Sequence, residues 1–188
     1  MSEDDRIRWD ATHSSRRGPA GEPTPPPAFA AHTDAFPVRG TALDLACGQG
    51  LGSVWLARRG LDVWGIDVSA IAIEQATELA ARYGVASRCR FDVVDLDDGL
   101  PPGPPVDVIV CHRFRDSRLD DTVVKRLAPG GLLAICVLSE VGAAPGRFRA
   151  APGELVSAFT ELDVLAAGEG DGEAWLLARV PGPAVSGR

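Results

Sequence analysis

The chain has 188 residues, within the roughly 100–200 of a single domain, and its 45% hydrophobic and 24% charged residues are those of a globular protein. Nineteen basic against 26 acidic residues leave a net charge of −7, which disfavours a nucleic-acid backbone as partner. The longest apolar run, Leu132 to Leu138, is far short of the about 20 residues of a membrane span, and the opening MSEDDRIRWD lacks a signal-peptide stretch. The expectation is a cytoplasmic protein with no membrane partner.

In chain order, residues 1–40 read as a proline-rich leader, with Gly18 to Phe29 too dense in proline for a helix or a central strand. Residues 41–182 read as one domain and residues 183–188 as a C-terminal tail. TALDLA (41–46) is a buried strand, LGSVWLARR (51–59) a helix stopped by Gly60, and LDVWGI (61–66) a second strand. A helix capped by Ser69 runs to a stop at Gly84, and CRFDVV (89–94) is a third strand. VDVIVCH (106–112) is a fourth strand, SRLDDTVVKRL (117–127) a helix ended by a Pro-Gly-Gly turn, and LLAICVL (132–138) a fifth strand. One helix, GELVSAF (153–159), and two strands, LDVLAA (162–167) and AWLLARV (174–180), close the domain. This alternation predicts an α/β sheet of about seven strands with helices on both faces, which binds ligands beyond the carboxyl ends of its strands.

Those ends carry chemistry. The first is LDLACGQGLG, in which Gly48, Gly50 and Gly52 let the chain turn sharply and approach a ligand without Cβ interference. Asp44, four residues before Gly48, suits a ligand with an ammonium group or an internal anchor for the loop. Asp67, at the second strand end and 19 residues after Gly48, is placed to accept both ribose hydroxyls of an adenosine. Asp95, at the third, is placed to accept from an adenine amino group, with the Leu96 backbone at the ring edge. Each aspartate alone also suits a turn or a helix cap. Three at successive strand ends, beside a glycine loop, favour the ligand.

The four cysteines, Cys47, Cys89, Cys111 and Cys136, lack metal or dithiol spacing and read as small buried hydrophobes, and no metal is expected. Trp55, Trp64 and Trp175 lie in apolar runs and read as core. Trp9 reads either as an aromatic covering the site or as a residue packed on the body.

LDLACGQG, GIDVS, FDVVDLDDGLP, VDVIVCH and LAPGGLLAI, in that order, resemble the motifs of class I S-adenosylmethionine-dependent methyltransferases. The resemblance implies a Rossmann-like, seven-stranded, mostly parallel sheet with its last strand antiparallel, and residues 41–182 as a methyltransferase domain. It implies S-adenosyl-L-methionine as cofactor and S-adenosyl-L-homocysteine as product. Asp44 and the turn from Ala46 through Gly48 to Gly50 would hold the methionine portion and Asp67 the ribose. Val68 would pack on the adenine, Asp95 and Leu96 would read its edge, and the Cys111 carbonyl would meet the ammonium. The leader RWDATHSS is similar to that of the small-molecule branch containing tellurite-resistance and thiopurine methyltransferases.

The function expected is therefore methyl transfer to a small-molecule nucleophile, with no nucleic acid as partner. The alternative is a protein that binds the cofactor without transferring methyl groups. Tyr83 and Lys125 are the only tyrosine and lysine, so the Tyr–Lys pair of short-chain reductases is missing. The fourth strand ends in VCHRF where base-modifying enzymes carry Asn/Asp-Pro-Pro-Tyr/Phe. His112 there is a candidate general base or a packing residue. Arg113, Arg115 and Arg147 are candidates to hold an anionic acceptor, or solvated surface residues. Residues 1–40 are expected to act as a lid, with Arg8-Trp9-Asp10 docking as a short helical segment.

Overall fold

A computed structural model describes residues 3–14, 21–146 and 149–182. Its fold is mixed α/β and Rossmann-like, with eight mostly parallel strands among the described residues. The chain divides into two compact units, residues 1–102 and 103–188.

The first unit begins with α1 (Glu3–Ser14), followed by a 3-10 helix, Pro27–Ala35. The expectation that Gly18 to Phe29 excludes helix is corrected at its end. A proline at the first helical position has its φ preset and owes no N–H bond there, so Pro27 opens the turn instead of blocking it. Phe29 and Phe36 on this stretch are buried, and the Phe36 ring meets Trp55 edge-on at 5.0 Å. Arg59 donates to the carbonyls of Thr33 and Phe36 at 3.1 and 3.0 Å. The stretch from Pro27 to Phe36 of the leader is thereby fastened into the unit's core.

Three parallel strands follow, β1 (Gly40–Leu45), β2 (Leu61–Asp67) and β3 (Cys89–Val93), with β2 central. Between them lie α2 (Leu51–Arg58) and α3 (Ala70–Arg82). Ser69 caps α3 as the sequence predicts, its Oγ accepting from the Ala72 N–H. On α3 the buried residues are Ala72, Ala76, Leu79 and Ala80, and the three alanines permit close packing. Gly65 is needed in β2 because a Cβ there would stand 2.6 Å from the Phe91 ring.

The second unit holds β4 (Val106–His112), α4 (Asp120–Arg126), β5 (Leu127–Ser139), β6 (Arg149–Ala150), α5 (Glu154–Ala158), β7 (Asp163–Gly170) and β8 (Glu173–Arg179). Its strands run in the order β4-β5-β8-β7, with β6 beside β5, and β8 is antiparallel to both of its neighbours. The two-residue β6 brings the strands to eight where seven were expected. The helix expected over 117–127 is a 3-10 turn, Ser117–Leu119, followed by α4, and β5 already starts at Leu127. A register shift between Val106 and Val108 accommodates Pro-Gly-Gly inside the β5 span. Asp171 and Gly172, both at positive φ, make the tight turn joining β7 to β8.

Two expectations about the core need correcting. Trp55, Trp64 and Trp175 are half-buried, because an indole packs its rings while its N–H seeks an acceptor; Trp64 Nε1 donates to Asp92 at 2.7 Å. Cys111 and Cys136 are buried free thiols, but Cys47 and Cys89 are only partly covered. Among the described residues no helix is long and apolar enough to cross a membrane, and no group of three or more His, Cys, Asp or Glu residues is placed to hold a metal.

Candidate functional site

The end of β1 leads into a loop that reverses twice before α2. Ala46, Gly48 and Gly50 have φ of 52°, 53° and 79°, all in the left-handed region, where Ala46 is strained as a residue with a Cβ. The Cys47 N–H donates to the Ile66 carbonyl of β2 at 3.0 Å, and the Gly50 carbonyl accepts from the Val54 N–H at 2.8 Å, starting α2. A Cβ on Gly50 would stand 2.7 Å from the Cβ of Ala76, so only glycine lets this loop lie against α3.

Two carboxylates staple the loop. Asp44 is 4% exposed, and its Oδ2 accepts from the Ser53 hydroxyl on the first turn of α2 at 2.5 Å. Asp67 is 8% exposed; its Oδ2 accepts from the Gly48 N–H and its Oδ1 from the Ser69 N–H, both at 2.9 Å. Burial pushes Asp44 up to about 7, opposed by the Ser53 hydroxyl and reinforced by the charge of Asp67. Burial also raises Asp67, opposed by the N–H groups of Ser69 and Gly48 and by His13. Val68 is buried directly after Asp67.

At the end of β3, Asp95 caps the short 3-10 turn Leu96–Asp98 by accepting from the Asp97 N–H at 2.9 Å, and the Leu96 side chain is buried. The Val94 N–H donates to the Asp67 carbonyl at 2.9 Å, which ties this third strand end to the second. The fold thus gathers Asp44, Ala46, Gly48, Gly50, Asp67 and Val68 at one loop, with Asp95 and Leu96 at the adjoining strand end.

The sequence reading missed several participants. Ser53 holds Asp44, and its signal was a hydroxyl nine residues on, directly after Gly52. From α1, Asp10 accepts from the Ser69 hydroxyl, and His13 lies buried beside the loop, whereas Trp9 is half-buried with its ring 6.1 Å from that of His13. A contact 59 residues apart leaves no local signal.

In the second unit, Cys111, His112 and Arg113 lie together at the end of β4. The Cys111 thiol donates to the Phe114 carbonyl at 3.2 Å. His112 pairs in register with Cys136 of β5. Its imidazole is held below the usual histidine range by burial and by the charge of Arg113, against a smaller opposite pull from Glu173. Arg113 turns the chain at φ 61°, and its exposed guanidinium meets Glu173 at 3.2 Å. Arg115 is buried, with a bidentate pair of bonds to Asp120 at 2.6 and 2.8 Å and a third to Glu154 at 2.8 Å. This guanidinium is committed to the protein's own carboxylates. Arg147 lies outside the described residues.

The donor set of the first unit fits the cofactor implied by the motifs. Two buried carboxylates suit hydroxyl donors and a cation, and a loop of glycines admits the ligand to its backbone. Asp67 retains acceptor capacity beyond its two backbone bonds, since a carboxylate offers about four lone-pair sites.

Comparison with known proteins agrees. Residues 42–131 match the family model described as a methyltransferase domain. The ribosomal RNA small subunit methyltransferase C of Alcanivorax borkumensis is 38% identical over 104 residues, 50% of this chain and 31% of its own. The ubiquinone biosynthesis O-methyltransferase of Psychrobacter cryohalolentis is 30% identical over 112 residues, 56% of this chain and 42% of its own. The chain thus spans about a third to two fifths of the length of these curated relatives. The crystal structure of TehB from Haemophilus influenzae superposes with a TM-score of 0.69 at 21% identity, covering 80% of this chain and 60% of that one. Residues 42–131 thus match a methyltransferase domain, and they do so within a Rossmann-like fold that the chain shares with solved S-adenosylmethionine-dependent methyltransferases.

Proposed function

We propose that this chain binds S-adenosylmethionine at the Asp44–Asp67 loop and catalyses transfer of its methyl group to a small-molecule nucleophile. The observation that carries the reading is the pair of buried carboxylates at that loop, whose partners are hydroxyl and backbone N–H groups and, at Asp67, the neighbouring His13. Asp67 accepts from the ribose hydroxyls, Asp44 favours the cationic end through its charge, and the loop from Ala46 to Gly50 bounds the methionine portion. Val68 lies against the adenine, with Asp95 and the Leu96 backbone at its edge and the Cys111 carbonyl at the ammonium. The cofactor supplies a methyl group already activated on a sulfonium.

The chain's remaining tasks are to align the acceptor, exclude water and remove a proton. His112 takes that proton: its imidazole is neutral at pH 7, because burial and Arg113 lower its pKa. Arg113 and Arg147 are the cations proposed for an anionic acceptor, and Trp9 is proposed to cover the site. A small acceptor is supported by the net charge of −7 and by the CHRF sequence at the end of β4. The relatives named above include one acting on ribosomal RNA and one on a small molecule, and these features favour the second kind. A location in the cytoplasm and the absence of a metal belong to the same proposal.

Binding is tested by thermal unfolding. S-adenosylhomocysteine at 100 times its Kd adds ~2.7 kcal/mol, a rise of roughly 5–11 °C for a chain of this size. Asp67→Ala removes most of that rise, since a hydrogen bond to a charged group contributes ~1.5–3 kcal/mol. A rise with NADH and none with S-adenosylhomocysteine overturns the reading. For the chemistry, His112→Ala lowers turnover of a hydroxyl acceptor at least about tenfold with cofactor Kd unchanged, and the loss shrinks for a thiolate. Because the base must be neutral, wild-type turnover falls only as pH drops through the lowered histidine pKa. Binding without turnover of any acceptor selects the cofactor-binding alternative.

A further inference from the structure

Helix α1 is joined to the cofactor loop by a series of specific bonds. Asp10 Oδ1 accepts from the Ser69 hydroxyl at 2.5 Å, immediately after Val68 and Asp67. Gln75 of α3 donates to the His13 carbonyl at 3.2 Å and accepts from Gln49 of the glycine loop at 2.7 Å. One glutamine thus links the end of α1 to the residue between Gly48 and Gly50.

These bonds deliver one side chain to the loop. His13 is 7% exposed, although it lies one residue from the end of its helix. Its Cε1 stands 3.7 Å from where a Cβ on Gly48 would be, and its charge acts on Asp67. The Trp9 ring, one helical turn earlier, lies 6.1 Å away at 30°. The imidazole therefore stands beside Gly48, whose N–H is held by Asp67.

We propose that His13 is a cofactor-contacting residue, forming the wall of the ribose subsite opposite Asp67, so that α1 is part of the cofactor site. The inference rests on the cofactor reading above and adds a residue to it. Ribose hydroxyls both donate and accept. Asp67, as a carboxylate, serves only the donating half, and an imidazole N–H serves the other. Asp10 and Gln75 hold the helix that carries the imidazole. A ribose held between His13 and Asp67 bridges α1 to β2, so cofactor binding and the ordering of α1 are coupled.

The test measures the Kd of S-adenosylhomocysteine and of 5′-methylthioadenosine, which lacks the amino-acid portion, by calorimetry on the full chain. His13→Ala is expected to weaken both by the same factor of about ten, the loss of one hydrogen-bonded contact. Asp10→Ala, which only loosens the helix, is expected to weaken both less. In the wild-type chain, amides of residues 8–14 are expected to exchange more slowly when S-adenosylhomocysteine is added, a measurement that stands even where His13→Ala fails to fold. A Kd for His13→Ala within twofold of wild type overturns the proposal, as does unchanged exchange in α1. A loss confined to S-adenosylhomocysteine places His13 at the amino-acid end and overturns the ribose assignment. If the wild-type chain binds neither ligand, the cofactor reading itself fails.

Discussion

The two charged clusters of this chain solve opposite problems. At the end of β1 and β2, Asp44 and Asp67 are buried against neutral hydrogen-bond donors, and burial pushes both toward the protonated form. After β4, Arg115 is equally buried, but two carboxylates meet it through three charged hydrogen bonds. The first cluster holds negative charge at a cost that a ligand with hydroxyls and a cation would offset. The second is complete within the protein and has little left to offer a ligand. Burial of a charge is therefore not by itself a sign of function; the identity of the partner decides which kind of site it is.

The sharpest way to break this contrast is to neutralise the first cluster. The gap between 3.8 and about 7 at Asp44 corresponds to roughly 4 kcal/mol favouring the protonated carboxyl in the fold. Because the folded pKa is the higher one, this stabilising contribution is present at pH 4 and is lost as pH rises through 7. Asp44→Asn is thus expected to raise the Tm of the ligand-free chain at pH 8 by several degrees. It should also flatten the fall in stability between pH 4 and 8, while weakening S-adenosylhomocysteine binding. A Tm that drops at pH 8 ends the idea that this carboxylate is held at the fold's expense.

Neutralising the second cluster has the reverse signature. Arg115→Ala leaves Asp120 and Glu154 partly buried without their cation, which costs about 2–3 kcal/mol given that Glu154 remains 30% exposed. The expected drop in Tm is roughly 4–12 °C, with the Kd of S-adenosylhomocysteine within twofold of wild type. A large loss of affinity with an unchanged Tm moves Arg115 from scaffold to ligand site. Smallest is the effect at Arg113, whose bond to Glu173 is exposed on both sides. Arg113→Ala should change unfolding free energy by under about 1 kcal/mol, measured by urea titration. Any sizeable effect of that variant should appear instead in the KM for an anionic acceptor.

Much of the site could be read before any fold was known. The motif order from Asp44 to Leu96 was visible because short apolar runs mark strands and glycines mark forced turns. The Ser69 cap was readable for the same reason: its partner, the Ala72 N–H, is three residues away. Where the reading departed from the structure, sequence-local rules met distant partners. Pro27 starts a 3-10 helix whose Phe29 is buried, and Trp64 stays half-exposed to reach Asp92, 28 residues on. The extra strand β6 is two residues long, too short to carry any periodic signal. Only part of the Arg115 cluster is sequence-local: Asp120 lies five residues on, but Glu154 lies 39 residues beyond it.

By itself the sequence determined which residues turn, which extend, and that acids stand at three successive strand ends, because backbone sterics and apolar periodicity act within a few residues. It did not determine what any of those charges experiences. That burial pushes Asp44 up to about 7, that Asp67 grips Gly48 and Ser69, and that α1 brings His13 to Gly48 follow from folding alone. The physical reason is that a carboxylate's proton affinity is set by lost water and by the dipoles and charges around it. Those neighbours come from 9, 19 and, through Asp10 and Ser69, 59 residues away.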